Sequence, residues 1–237
     1  MTRLFAHAIT RRATGGPLVG LRGKPLEQIT GGELGLWATR WDGEPTLSRD
    51  DAFAHHDLVA VLCEAGPCLP VRFGTWLSDA GAVRRSLDAD QERFTSAIDR
   101  LADRREVAVT LLWRDPSAVR PGPALPDPAG PRSTGRAFLE RRRTAHATTD
   151  HRRREAEAIA VRLRRELGIG QPDVRHESCP SAEVALTMSL LARTDEADAL
   201  KARATAAVAA IAGVRGVVSG PWPPYSFTEE LERGHGG

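Results

Sequence analysis

The sequence predicts an α+β fold in two domains: an N-terminal ferredoxin-like sheet with helices on one face, and a smaller C-terminal α+β domain with a long helix and a proline and aromatic tail. Three observations carry this prediction. Residues 115–131, DPSAVRPGPALPDPAGP, hold six prolines and cannot pack as a regular element, so they divide the chain into 1–114 and 132–237. In each part, short β-rich runs are interleaved with helical runs in an order that is not strictly βαβα. In residues 183–192, Val184, Leu186, Met188 and Leu190 alternate with small or polar residues, as in a strand with one buried face.

LFAHAI (4–9) and LGLWATRW (34–41) are strand-like. Residues 48–65 begin with Ser48, a good N-cap, followed by acidic first-turn residues and apolar positions at helical spacing. A strand is expected over 68–77 and helix over 78–105, where Phe94, Ile98 and Leu101 share a face; EVAVTLLW (106–113) closes the first domain as a strand. Beyond the prolines, residues 133–167 predict a long helix with a stripe of Ala156, Ile159, Leu163 and Leu167. Strands near 173–178, 183–192 and 214–220 and a helix near 195–212 complete the second domain. The closing SGPWPPYSF (219–227) excludes helix and central strand, because each proline fixes φ and lacks an amide hydrogen. Its rings predict a coil docked on the domain before it.

Composition narrows the function classes. With 41% hydrophobic residues among 237, the chain can bury cores, and a net charge of +2 selects no polyanionic partner. Only Lys24 and Lys201 are lysines among 33 basic residues, so arginine runs carry little weight. The apolar start is too short for a signal peptide or membrane span, which points to the cytoplasm. Cys63, Cys68 and Cys179 make no even framework and no zinc spacing, so reduced thiols are expected.

Catalytic, cofactor and metal residues are not expected. Adjacent His55 and His56 diverge by about 100° on a helix, and His146 and His151 fall on a polar face. Glycine-rich GGPLVGLRG (15–23) lacks the strand and helix context of a phosphate loop. Arg141, Arg142, Arg143, Arg152, Arg153 and Arg154 spread around the long helix instead of forming a stripe; nucleic-acid binding through that helix is the alternative function. Strand alternation places Trp37 and Trp41 on one face and Arg72 on the solvent side of its strand. These residue types are favoured at interfaces, so they are the candidate partner-binding surface, against the alternative that the fold covers them internally.

Three segments, LPVRFGT (69–75), GRAFLERRR (135–143) and GPWPPYSF (220–227), in this order around a proline-rich stretch, resemble the GvpL/GvpF family of gas vesicle proteins. The motif residues are Leu69, Pro70, Arg72, Phe73, Gly74, Gly135, Arg136, Gly220, Pro221, Trp222, Pro223, Pro224, Tyr225 and Phe227. The resemblance implies a two-domain α+β fold whose second domain includes the aromatic and proline segment. It also implies a non-catalytic role in gas vesicle formation, without a cofactor, in contact with the major shell protein or other accessory proteins, in the cytoplasm or on the vesicle. A shell with an apolar inner face needs subunits that are covered before assembly, which a partner with an apolar patch supplies.

Overall fold

The computed structural model describes residues 2–12, 19–43, 45–115 and 134–228, without the side chains of 134–148. The proline-rich stretch from Pro116 onward lies outside the described residues. The chain is α+β, as the sequence predicts, and forms two compact units. Unit 1 is Met1–Glu106 with Arg193–Asp195 and Pro221–Gly237; unit 2 is Val107–Ala192 with Glu196–Gly220.

In unit 1, β1 (Thr2–Arg11), β2 (Leu26–Gly31), β3 (Leu34–Asp42) and β4 (Cys68–Pro70) lie in the order β2-β3-β1-β4, and short β5 (Trp76–Leu77) also pairs with β1. Every pairing is antiparallel. Helix α1 (Arg49–Ala65) has a reciprocal cap: Asp51 N–H donates to Ser48 Oγ at 3.2 Å and Ser48 N–H to Asp51 Oδ2 at 2.7 Å. The expected single helix over 78–105 is two, α2 (Ala80–Ala89) and α3 (Gln91–Leu101), because Asp90 departs from helical φ/ψ between them.

Helices on one face do not hold for unit 1. Trp37 packs with Leu62 and Leu58 of α1, whereas its neighbour Leu36 shares the opposite face with Val83 and Leu87 of α2 and Phe94 of α3. A β-bulge between Ala6 and Ala8 adds to this, turning consecutive His7 and Ala8 both toward α1.

The ferredoxin-like order is found in unit 2. Strand β6 (Arg104–Trp113), helix α4 (Thr134–Leu167), β7 (Val174–Ser178), β8 (Val184–Arg193), α5 (Ala197–Ala209) and β9 (Val214–Trp222) run βαββαβ, and the sheet order is β7-β8-β6-β9. The strand expected to close the first domain is therefore the first strand of the second. Its Val107, Val109, Leu111 and Trp113 are buried with Ala156, Ile159, Leu163 and Leu167 of α4, the stripe legible in sequence. Gly216 of β9 has a packing role: a Cβ there would meet Val208 Cγ1 of α5 and Leu111 of β6 at impossible distances, so the strand comes close to its neighbours only as glycine. The terminal coil belongs to unit 1, not to the second domain, because Phe227 and its neighbours bond and pack there.

The expectation of three reduced thiols is corrected at Cys63 and Cys68, which form a disulfide. The turn from the end of α1 into β4 brings their Cα atoms to 5.2 Å, within bridging range. Cys179 is free, and burial pushes its thiol pKa up.

Candidate functional site

The segments LPVRFGT and PWPPYSF, more than 140 residues apart in the chain, meet in unit 1 at His55 and His56 of α1. The first is not one continuous strand. After β4 the backbone turns out through Arg72–Gly74, with Gly74 at φ +90° and Thr75 N–H and Oγ both donating to the Arg72 carbonyl, before β5 resumes. Arg72 and Phe73 are consequently exposed, and Phe73 is not a core residue. Its ring stands edge-on to Phe5 at 5.6 Å and His55 at 5.5 Å.

The second segment begins within the last residues of β9, where Gly220 has φ +111°, leaves the strand after Trp222, and docks by hydrogen bonds and rings. Trp222, 37% exposed, stands edge-on to His56 at 4.7 Å, and Tyr225 lies beside both histidines. Pro223 and Pro224 are buried, and Phe227 is wholly so. Ser226 donates through its N–H and Oγ to the buried Glu106 carboxylate at 2.9 and 2.7 Å. Arg100 donates to the Phe227 carbonyl at 3.0 Å, and the single Thr228 Oγ–H lies between the Tyr225 carbonyl at 2.9 Å and the Pro70 carbonyl at 3.3 Å, which brings one motif to the other. Of the third motif, Gly135 and Arg136 lie on α4, whose side chains there are outside the description, as are His146 and Arg141 to Arg143. Farther along α4, His151, Arg153 and Arg154 are exposed.

Under these segments runs a polar chain that sequence reasoning missed. The Val71 carbonyl can only accept, so His55 Nε2–H donates to it at 3.0 Å, and His55 Nδ1 then accepts from His7 Nδ1–H at 3.0 Å. His7 Nε2 accepts from Thr39 Oγ–H at 2.8 Å, and Thr39 Oγ in turn accepts from the Leu21 N–H at 3.3 Å. Each link fixes the tautomer of the next, and both rings are neutral. Burial, helped by the neighbouring ring, holds His7 down at about 3, and burial holds His55 at about 4. The signal was present only as two histidines 48 positions apart, with nothing to join them.

Because both folded-state values lie below the ordinary 6.5, the unfolded chain binds protons more readily as pH falls. The stability contribution is complete above about pH 6.5 and is lost between there and pH 4 to 3. Denaturant unfolding should therefore show stability falling by about 1.4 kcal/mol per pH unit for each histidine between pH 6 and 5. A flat profile across that unit would show that the pair is not buried neutral.

Trp37 and Trp41 are not at this surface. Both are buried, at 6% and 7% exposure, because α1 and the short 3-10 turn Leu21–Gly23 cover the face that the sequence reading left bare. Trp37 Nε1–H donates to Thr10 Oγ at 3.0 Å, and Trp41 packs on Phe5 and Leu21 beneath the cations of Arg22 and Lys24. Arg22 is held there by two bonds to Asp51, at 2.7 and 2.5 Å, and the guanidinium keeps that carboxyl well below the usual range. The tryptophans are thus removed as partner contacts, and Arg72 alone of the three is exposed.

The site consists of two motif segments packed about His55 and His56, with His55 joined to His7 beneath them. A family model described as "Gas vesicle synthesis protein GvpL/GvpF" matches residues 4–229. The chain belongs to the GvpL/GvpF family of gas vesicle proteins. It is 28% identical over 247 residues to gas vesicle protein L of Streptomyces sp. (strain CB03234), covering 94% of this chain and 91% of that protein. Its fold is similar to the crystal structures of GvpF from Microcystis aeruginosa (TM-score 0.67, 16% identity, 95% of this chain and 98% of that one) and from Anabaena sp. PCC7120 (TM-score 0.68, 17% identity, 96% of each). No helix among the described residues is long and apolar enough to cross a membrane.

Proposed function

We propose that this chain acts without catalysis in gas vesicle formation, binding the major shell subunit and covering its apolar surface until the growing wall takes it over. The observation that carries this reading is the family match over residues 4–229, whose two most distinctive segments converge in unit 1. The convergence leaves Arg72, Phe73 and Trp222 exposed around the His55–His56 pair, and arginine and aromatic residues dominate binding energy when a partner desolvates them. They take the place of the two buried tryptophans, with Arg72 retained. Moderate affinity suits the role, since the wall must recover its subunit.

The test is a titration of full-length protein with the shell subunit. Phe73→Ala and Trp222→Ala should each weaken binding by about 2 kcal/mol, roughly thirtyfold, while the melting temperature changes little because both side chains are more than a third exposed. Unchanged affinity in both variants would remove this surface. Failure of the wild-type protein to bind would remove the shell-partner reading itself.

A further inference from the structure

An apolar cavity of about 290 Å³ opens in unit 1 on the sheet face that carries α2 and α3. Ile9, Leu36, Leu69, Val83, Leu87 and Phe94 form its walls. Toward solvent the lining is different in kind: exposed Ser78 and half-buried Thr75 and Ser86 bring hydroxyls, and exposed Asp79 is the one charged residue among the described residues that line it. The Asp79 carboxylate caps α2 through the N–H groups of Gly81 and Ala82 at 2.8 and 3.0 Å, and its side chain remains 59% exposed, with the nearest Arg85 nitrogen 3.9 Å away. The cavity is bounded by Leu69, Pro70, Val71 and Thr75 of the first motif and by Thr228 just past the last, so it adjoins the exposed Arg72–Gly74 turn.

A cavity with so apolar a lining holds water poorly, and one of roughly 150 Å³ already accepts a benzene-sized ring. This one has the volume for two large apolar side chains. Its polar rim supplies hydrogen-bonding groups and the negative charge of Asp79. Charge complementarity therefore selects an occupant that combines apolar side chains with a nearby cation.

We propose that this cavity receives the apolar anchor residues of an amphipathic segment of the shell subunit, with an arginine or lysine beside them facing Asp79. The proposal rests on the shell-partner reading and specifies where and by what chemistry the contact is made. It gives the subunit a seat that hides two of its apolar side chains, while the adjoining Arg72–Gly74 turn meets the segment's continuation.

The test co-expresses full-length protein with the shell subunit of the same gas vesicle gene set and reads complex formation by a split-luciferase pair. Ala82 lines the mouth and is exposed, so Ala82→Trp plugs the cavity without disturbing the core, and the signal should fall at least tenfold. Asp79→Asn, which still caps the helix, should lower it two- to fivefold and flatten its salt dependence. Ala89→Trp, also exposed on α2 but away from the cavity, should leave it unchanged. A full signal from an Ala82→Trp protein that melts like wild type would overturn the cavity as the seat while leaving the shell-partner reading intact. Absence of signal from wild type would overturn both. If removing residues 229–237 raises the signal severalfold, the chain's own end is the cavity's occupant and the proposal fails.

Discussion

A fragment of residues 116–237 will not fold, although the proline-rich stretch makes it look like a natural domain. Unit 2 needs β6 between β8 and β9, and the fragment lacks it. Four core side chains go with it, Val107, Val109, Leu111 and Trp113. At about 1.5 to 3 kcal/mol for each buried apolar side chain, the loss is comparable to the whole stability of an ordinary domain, about 5 to 15 kcal/mol. Two strand edges would also be left without a partner. Circular dichroism should show no cooperative melt for 116–237, and a peptide of residues 104–115 added in trans should restore one. A cooperative transition in the fragment alone would refute the placement of β6.

The second large effect is expected at the other discontinuity. Phe227 is fully buried in unit 1, and truncating a buried phenylalanine to alanine costs about 3 to 5 kcal/mol. Phe227→Ala should lower the transition of unit 1 by roughly 6 to 20 °C, using about 2 to 4 °C per kcal/mol for a chain of this size. Trp222→Ala, five residues from it in a stretch of similar composition, should change that transition by only a fraction of this, because its ring is partly in solvent. Calorimetry distinguishes the two. Equal shifts would mean that the segment docks by its composition and not through the one ring that is enclosed.

The separation of strands from helices was largely legible, because it is written in local periodicity: the Ser48 cap, the α4 stripe and the β8 alternation all lie where the residues put them. What lay beyond reach was allegiance. Nothing local in EVAVTLLW says which sheet it joins, since a strand's partners are chosen by long-range packing. The same holds for Trp37 and Trp41: alternation gave their shared face correctly, but whether that face is bare depends on where α1 lies. The turn at Arg72–Gly74 carried a signal in Gly74, read as a strand position when its positive φ marks a reversal. The candidate site was half visible: its motif segments stood out, whereas the His7 to His55 link and the cavity exist only once distant elements are folded together.

The docking of residues 221–228 on unit 1 also has a temporal side. The bonds that secure this segment join residues 120 to 158 positions apart, Ser226 to Glu106, Phe227 to Arg100 and Thr228 to Pro70. At the roughly 5 to 20 residues per second of protein synthesis, the ribosome spends on the order of ten seconds making unit 2 before these last partners emerge. Through that interval the nascent first unit lacks its closing aromatic ring, and the Glu106 carboxylate and the Arg100 guanidinium lack the partners that Ser226 and Phe227 bring. Completion of the proposed binding face thus waits until residues 221–228 have been made, so a chain stalled before them cannot present the finished surface to a partner.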